Sequence, residues 1–310
     1  MDKSRNISKQ VEDRLGMFGS LKFYSFPEEI YHYTSLSGLK SIVENGTFWA
    51  TESRFMNDAG EETYFRQFVD SLLPQMKAVQ PSHENIVEKF HNEIMKKLNE
   101  NDNTEFEWKF ILSFSKNKDS LAMWNYYGKN DGYCIGLNGA WLTVSATHIN
   151  EVGEKDGLYA WAAEVIYDSK KQEDMLIKDF KEIFNLFLEL HNTYGEASIP
   201  ILTGQLLAIW AMYAPYFKHP SFEAEAEFRL VFIEDSMKKF KISHRIYQSI
   251  MAPYIEVESE NKYLPITSLM IGPMIKHDQA LIGLRSWVSK LEIEGFNPDK
   301  ITKSTIPLRF

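Results

Sequence analysis

Two groups of residues in this chain have the types and spacing to do chemistry. Tyr31-His32-Tyr33-Thr34 sets a histidine between two tyrosines, and Glu225-x-Glu227-x-Arg229 sets two carboxylates two positions apart beside a guanidinium. A helix opening at Ser35, directly after the histidine, would present free backbone N–H groups suited to phosphate or another anion. Glu225 and Glu227, two apart on one strand, are expected to face the same side. Like charges so placed are costly unless cations pair them or a function requires them. The plain alternatives are a core histidine with its hydrogen bonds satisfied, and an ion-pair network of the glutamates with Arg229 or Lys218.

A third group is Ser113-Phe114-Ser115, followed by Asp119, Trp124, Tyr126 and Tyr127. The serines share a strand face and can hydrogen-bond a ligand, and the following aromatics can stack on it. Core packing with Asp119 as a helix N-cap accounts for the same residues. Asn57-Asp58 with Glu61 could join His32 around a divalent ion, but the spacing fits no metal signature and no metal is expected. Glycine-rich phosphate loops are absent.

Composition narrows the classes. A net charge of −9 argues against gripping a long nucleic-acid duplex through counterion release. It leaves room for a local hold on one nucleotide or a single strand; Lys116 with Lys118, Lys170 with Lys171, and Lys238, Lys239 and Lys241 read first as solvated faces. Aromatic residues make up 14%, which implies a well-packed interior before it implies a ring-stacking pocket. The single cysteine, Cys134, lies in an apolar run and reads as an inert buried thiol, so neither a disulfide framework nor a thiolate zinc site is expected. The first residues lack the apolar core of a signal peptide, and the run from Ile199 to Pro220 is interrupted by polar and proline residues. The expectation is a soluble cytoplasmic protein with no membrane contact.

The elements that must position these residues can be read from periodicity. Residues 1–20 are polar and read as a peripheral segment; 21–310 read as a single domain. Glu29–Thr34 is a strand, Leu36, Leu39, Ile42 and Val43 recur at helical spacing, and Gly46 stands where a helix end wants a left-handed residue. Residues 47–50 resume an extended segment. Helical insertions are expected at about 61–104 and 170–215, the second broken near Tyr194-Gly195. Strands are expected at 108–115, 132–137, 160–167, 225–233, 254–257 and 264–271, with a helix over 119–127 and a closing helix over 280–291. Strands scattered among helices without βαβ alternation give an α+β fold.

Taken in order, these residues resemble a bacterial family of uncharacterised proteins, DUF2971. The resemblance rests on Tyr31-His32-Tyr33-Thr34-Ser35-Leu36-x-x-Leu39-x-x-Ile42, Phe55-x-Asn57-Asp58-x-x-Glu61, Ser113-Phe114-Ser115 with Asp119, Trp124 and Tyr127, and Gly132-Tyr133-Cys134-Ile135-Gly136. Lys218-x-x-x-Phe222-x-x-Glu225-x-Glu227-x-Arg229 and Ile271-Gly272-Pro273 complete it, over roughly residues 29–290. That family in turn is similar to the ADP-ribosyltransferase superfamily, and the His-Tyr-Thr strand leading into a helix is similar to the opening of the DarT toxins.

The resemblance implies a split, mixed or antiparallel sheet with peripheral helical insertions, and NAD as co-substrate. It implies that His32 holds an NAD ribose, that Glu227 is catalytic and that Glu225 orients or deprotonates the acceptor. Tyr33, Thr34, Asn57, Ser113, Ser115, Trp124 and Tyr127 would help to bind the dinucleotide. Either Tyr127 or Tyr33 would stack on nicotinamide, and Phe114 stands where the family's Ser-x-Ser strand usually has threonine. The activity implied is ADP-ribosyl transfer to a nucleic-acid or protein acceptor by a toxin-like or anti-phage effector, with a neutralising antitoxin as a further partner. A metal-dependent nuclease using His32, Asp58, Glu61, Glu225 and Glu227, and a non-catalytic nucleotide-binding module, are the alternatives.

Overall fold

The structure, a computed structural model, describes residues 3–16, 19–21, 27–56, 60–100, 108–128, 131–140, 158–234, 241–247, 249–258, 264–291 and 296–307. In chain order the helices are α1 (Lys3–Leu15), α2 (Leu36–Asn45), α3 (Glu61–Asp70), α4 (Leu73–Val79), α5 (Glu84–Glu100), α6 (Leu121–Met123), α7 (Ser169–Tyr194), α8 (Ile199–Ala211) and α9 (His277–Leu291). The strands are β1 (Glu29–Ser35), β2 (Thr47–Glu52), β3 (Lys109–Ser115), β4 (Gly132–Asn138), β5 (Leu158–Glu164), β6 (Glu227–Glu234), β7 (Ser243–Tyr247), β8 (Ile250–Glu258), β9 (Ile266–Ile271) and β10 (Ile301–Lys303). The chain divides into two compact units: residues 1–22, 57–106 and 166–221 form one, and residues 23–56, 107–165 and 222–310 the other.

The first unit is helical. Both expected insertions fall within it, and they are joined there by the N-terminal segment read as polar and peripheral. That segment forms α1, because Ile7 and Val11, four apart and buried, give it an apolar stripe. The Asp168 side chain caps α7 at the Lys171 N–H (3.0 Å), and Gly195 (φ 58°) ends the helix. By length and composition the run Ser169–Tyr216 is apolar enough to cross a membrane. Here it is two helices with a break between them, and Phe180, Phe184, Phe187, Leu202, Leu206 and Trp210 are buried. Phe90 of α5 packs against Phe184 and Phe187, ring centroids 5.3 Å apart in each case.

The second unit is built on a ten-stranded, mostly antiparallel sheet in the order β10-β9-β4-β1-β3-β2-β8-β7; β6 also pairs with β3, and β5 with β6. Among the described strands, only β10 and β9 run parallel. The protein is therefore α+β, with a mixed sheet. Side chains alternate between its faces. One face carries Ile30, Phe48, Phe110, Leu112, Phe114, Phe228, Leu230, Phe232 and Ile255, packed with Leu39 and Ile42 of α2 and Leu284 and Val288 of α9. The other carries Tyr31, Tyr33, Ser113, Ser115, Glu227 and Arg229.

The sheet forks at β3. Strand β6 pairs with β3 along its whole length, from Lys109↔Ile233 to Ser115↔Glu227. The opposite edge of β3 is therefore shared by two strands: β2 meets it at Phe110 and Ile111, and β1 at Ser115. Helix α2 connects the two prongs. Ser35 caps it by accepting from the Gly38 N–H (3.2 Å), and Gly46 closes it at φ 65°, as the sequence led one to expect.

Two local expectations are corrected. Residues 119–127 do not form one helix capped by Asp119. Ser120 is the N-cap residue of the short α6, and a π-helical turn follows over Trp124–Gly128. Nor does a strand begin at Glu225. Pro220–Glu225 is a 3₁₀ turn, and Ala226 takes φ 46°, a left-handed backbone that breaks extension before β6 starts at Glu227. The two glutamates consequently do not share a strand face.

Candidate functional site

A row of paired positions crosses the polar face of the sheet. Tyr31 of β1 pairs with Ser115 of β3, and Ser115 with Glu227 of β6. One step along, Ser113 pairs with Arg229. Register places these side chains on one side, spaced by the roughly 4.8 Å of neighbouring strands. Glu227 Oε2 accepts from Arg229 Nε (2.6 Å) and from Ser113 Oγ (3.2 Å). Both members of the ion pair are buried, Glu227 at 2% exposure and Arg229 at 1%. A buried ion pair of this kind fixes the geometry of both side chains.

The neighbouring serine and glutamate serve the backbone. Ser115 Oγ donates to the Glu225 carbonyl (2.6 Å) and accepts from the Asn117 N–H (3.0 Å). This clamps the entry to β6 where Ala226 turns left-handed. Glu225 is buried as well, at 3% exposure. The apolar side chains Phe228, Leu230 and Phe232 lie on the opposite face from Glu227, as alternation along β6 demands.

His32 lies in the fork. It sits between Tyr31 and Tyr33, so it leaves β1 on the other side, and its ring meets Phe48 of β2 (5.1 Å) and Phe114 of β3 (5.7 Å) edge-on. Its Nδ1 bonds to the Ser113 carbonyl (3.1 Å), an acceptor that β1 and β2 leave without a ladder partner. A carbonyl only accepts, so Nδ1 carries the proton and donates. Burial pushes the imidazole pKa down to about 4, the Ser113 hydrogen bond opposes that shift, and the Arg245 charge adds to it. At neutral pH the ring is uncharged and presents Nε2 as an acceptor. His32 and Glu227 therefore leave the sheet on opposite sides and do not face each other across one pocket. They meet through Ser113, whose carbonyl takes the histidine and whose hydroxyl takes Glu227.

A cleft of about 410 Å³ meets this row at Tyr31 and is otherwise lined by Glu28, Glu29, Lys116, Asn138 and Thr267, not by Glu227. Its volume suits a small ligand. The Tyr31 hydroxyl donates to Glu29 (2.6 Å), which holds the Glu29 carboxyl below its usual range against the opposing effect of burial. Lys116 pairs with Glu164 (3.1 Å) at the edge.

The remaining expected site residues are built into the packing. Trp124 is buried with Tyr31, Tyr33, Met123, Cys134 and Met270, and Tyr127 packs against that cluster. Tyr33 meets Trp124 edge-on (4.7 Å), donates to the Asn117 carbonyl (2.7 Å) and accepts from the Ser120 N–H (3.1 Å). Trp124 Nε1 donates to Asp119 (2.7 Å), which also takes Ser304 Oγ (2.7 Å) and the Thr305 N–H (2.8 Å). Burial raises the Asp119 pKa, but these hydrogen bonds outweigh it and hold the carboxyl below its usual range. Gly272, from the expected Ile-Gly-Pro motif, lies so close to Trp124 that a Cβ there would stand 3.1 Å from the indole. Thr34 packs against Gly38, whose Cβ would fall 2.1 Å from the threonine Oγ1. Burial drives the Cys134 thiol pKa up, which leaves it inert.

Asn57 and Asp58, like Lys238 and Lys239, lie outside the described residues. Glu61 belongs to the helical unit, where it pairs with Lys218 (3.4 Å). Among the described residues, no three of His, Cys, Asp and Glu gather closely enough to hold a metal ion.

Comparison with known proteins takes the site as far as a family. Residues 123–230 match the family model described as a protein of unknown function, DUF2971. The match covers about a third of the chain and is a likeness over that stretch. The DUF2971 match contains Trp124, Tyr127, the β4 strand, Glu225, Glu227 and Arg229, while His32, Ser113, Ser115 and the Ile-Gly-Pro motif lie outside it. Neither a curated protein nor a solved structure matches the chain.

Proposed function

We propose that this protein is an NAD-dependent ADP-ribosyltransferase that works from the polar row around Glu227. One observation carries the reading. A buried, ion-paired carboxylate is coupled through Ser113 to a neutral histidine wedged in a forked sheet. The resemblance of the opening strand to the DarT toxins supplies the superfamily and the toxin-like or anti-phage role. The acceptor is then a nucleic acid or a protein.

Breaking the nicotinamide–ribose bond builds positive charge on the ribose, as glycoside cleavage does. In this reading Glu227 holds the ribose 2′-hydroxyl, in a hydrogen bond that strengthens as the charge develops. Arg229 and Ser113 fix the carboxylate before substrate arrives, so little reorganisation is left for the reaction. His32 acts at a distance in this reading, holding Ser113 through its carbonyl while the Ser113 hydroxyl holds Glu227. Glu225 orients or deprotonates the acceptor, which attacks the ribose as neutral nicotinamide departs with the bonding electron pair.

The test is release of nicotinamide from NAD, with and without RNA, DNA and cell lysate as acceptors. Glu227→Gln is expected to keep the wild-type circular dichroism spectrum and to lose about 10²–10³-fold in release. Equal turnover by the variant, or none by the wild type with every acceptor, removes the assignment. A second reading, a nucleotide-binding module without turnover, is favoured by the burial of Glu227 against Arg229. It predicts that NAD raises the melting temperature without being consumed.

A further inference from the structure

A second polar constellation lies on the other prong of the fork, around an arginine that the sequence analysis passed over. Arg245 sits in β7, the strand at the end of the sheet path. Its Nη2 donates to Thr51 Oγ1 of β2 (2.8 Å), and its guanidinium stacks over the rings of Trp49 (5.7 Å) and Tyr247 (5.2 Å). Trp49 in turn lies against Tyr254 of β8, centroids 4.5 Å apart. Arg245 Nε is buried and has no hydrogen-bond partner. Among the described residues, no carboxylate pairs with this guanidinium.

That is an unusual state for an arginine. The guanidinium carries five N–H donors in a fixed fork, and one of them has an acceptor here. Burying a charge is costly unless an opposite charge or a full set of acceptors compensates it. Two aromatic rings offset part of that cost through cation–π attraction. What they leave unmet is an anion. Burial holds the Arg245 pKa below its usual value, against the opposing effect of Tyr247 and Tyr254.

The surroundings narrow the anion's class. The fork geometry of a guanidinium matches phosphate and carboxylate oxygens two at a time. Trp49 beside it keeps 41% of its surface exposed, and Tyr247 and Tyr254 complete an aromatic wall. An oxyanion and a flat ring a few ångströms apart are what a nucleotide presents. We propose that Arg245, Thr51 and Trp49 form a binding site for a nucleoside phosphate, with the phosphate on the guanidinium and the base against the indole.

The site is argued on its own residues and does not depend on transfer of ADP-ribose. A protein that binds AMP but never releases nicotinamide leaves this inference standing and removes that one. The phosphate can belong to a free nucleotide or to a single strand, and both use the same contacts.

Isothermal titration of the full chain with AMP, adenosine, inorganic phosphate and a short oligoadenylate tests it. AMP is expected to bind at least about tenfold more tightly than adenosine, and Arg245→Gln to abolish that difference while leaving adenosine binding unchanged. Arg245→Lys keeps the charge and loses the fork, so it is expected to fall between the two. Trp49→Ala is expected to weaken AMP and adenosine alike. Tighter binding of the oligoadenylate than of AMP assigns the site to a strand, and equal binding assigns it to a free nucleotide. If neither ligand binds the wild type, or if Arg245→Gln and Arg245→Lys both bind AMP as the wild type does, the proposal is overturned.

Discussion

Asp119 and Glu227 are both carboxylates set among serines and aromatic rings in the sheet unit, and they are used differently. Asp119 gathers donors from distant parts of the chain: the Trp124 indole, the Ser304 hydroxyl, and the Thr305 amide and hydroxyl. It fastens the segment after β10 to the tryptophan packed over β1. Glu227 has among its partners Ser113 on the neighbouring strand β3 and Arg229 on its own β6. No loop has to be tied down for that pair to exist; the β3–β6 ladder places it. A carboxylate that closes a packing knot stabilises the fold, whereas one placed by a rigid ladder is held in a fixed position before any ligand arrives.

The contrast can be broken at three points. The largest effect is expected at Trp124→Ala, which empties the middle of the Tyr31–Tyr33–Cys134–Met270 cluster. About 3–5 kcal/mol should be lost in chemical denaturation, and nicotinamide release per folded molecule should stay close to wild type. A catalytic defect larger than the loss of folded protein would place Trp124 in the site after all. Ser113→Ala comes next. It removes one hydrogen bond to Glu227 at a cost of about 1 kcal/mol, and in the proposed enzyme it lowers release about tenfold. Unchanged release would show that the carboxylate needs no second support.

The smallest effect concerns pH. The folded-state pKa of His32 is depressed to about 4, so the unfolded chain binds a proton more readily below about pH 6.5. Stability from this group is complete above that pH and falls as the pH drops from about 6.5 toward 4. The melting temperature should decline over this window, and His32→Gln should flatten the decline. An identical slope in the variant would mean that the imidazole is not closed off in the fork.

Much of the fold was legible because its signals are local. The α2 helix announced itself by apolar spacing and by Gly46, and β4 by the uninterrupted run from Tyr133 to Leu137. Strands β7 and β10 escaped for a physical reason. Ser243–Tyr247 opens with three polar residues and has no buried face, and Ile301–Lys303 is a strand only because β9 lies beside it. With β7 unseen, Arg245 could not be placed.

The site was legible by residue type and misread in geometry. Alternation correctly put Ser113 and Ser115 on one face, but applying it through Ala226 was an error, since a positive φ at that residue ends the period. The fork itself has no local signature. It comes from two strands competing for one edge of β3, a pairing across some 80 residues that periodicity within either strand does not encode.

That shared edge has a mechanical meaning. Among the described residues, every hydrogen-bonded path from β10-β9-β4-β1 to β2-β8-β7 runs through β3. The strand is the keel of the sheet, and the two prongs are planks joined to it separately. A molecule wedged beside His32 would press on both planks at once, and the torque would be carried at Ser113, the residue that also grips Glu227.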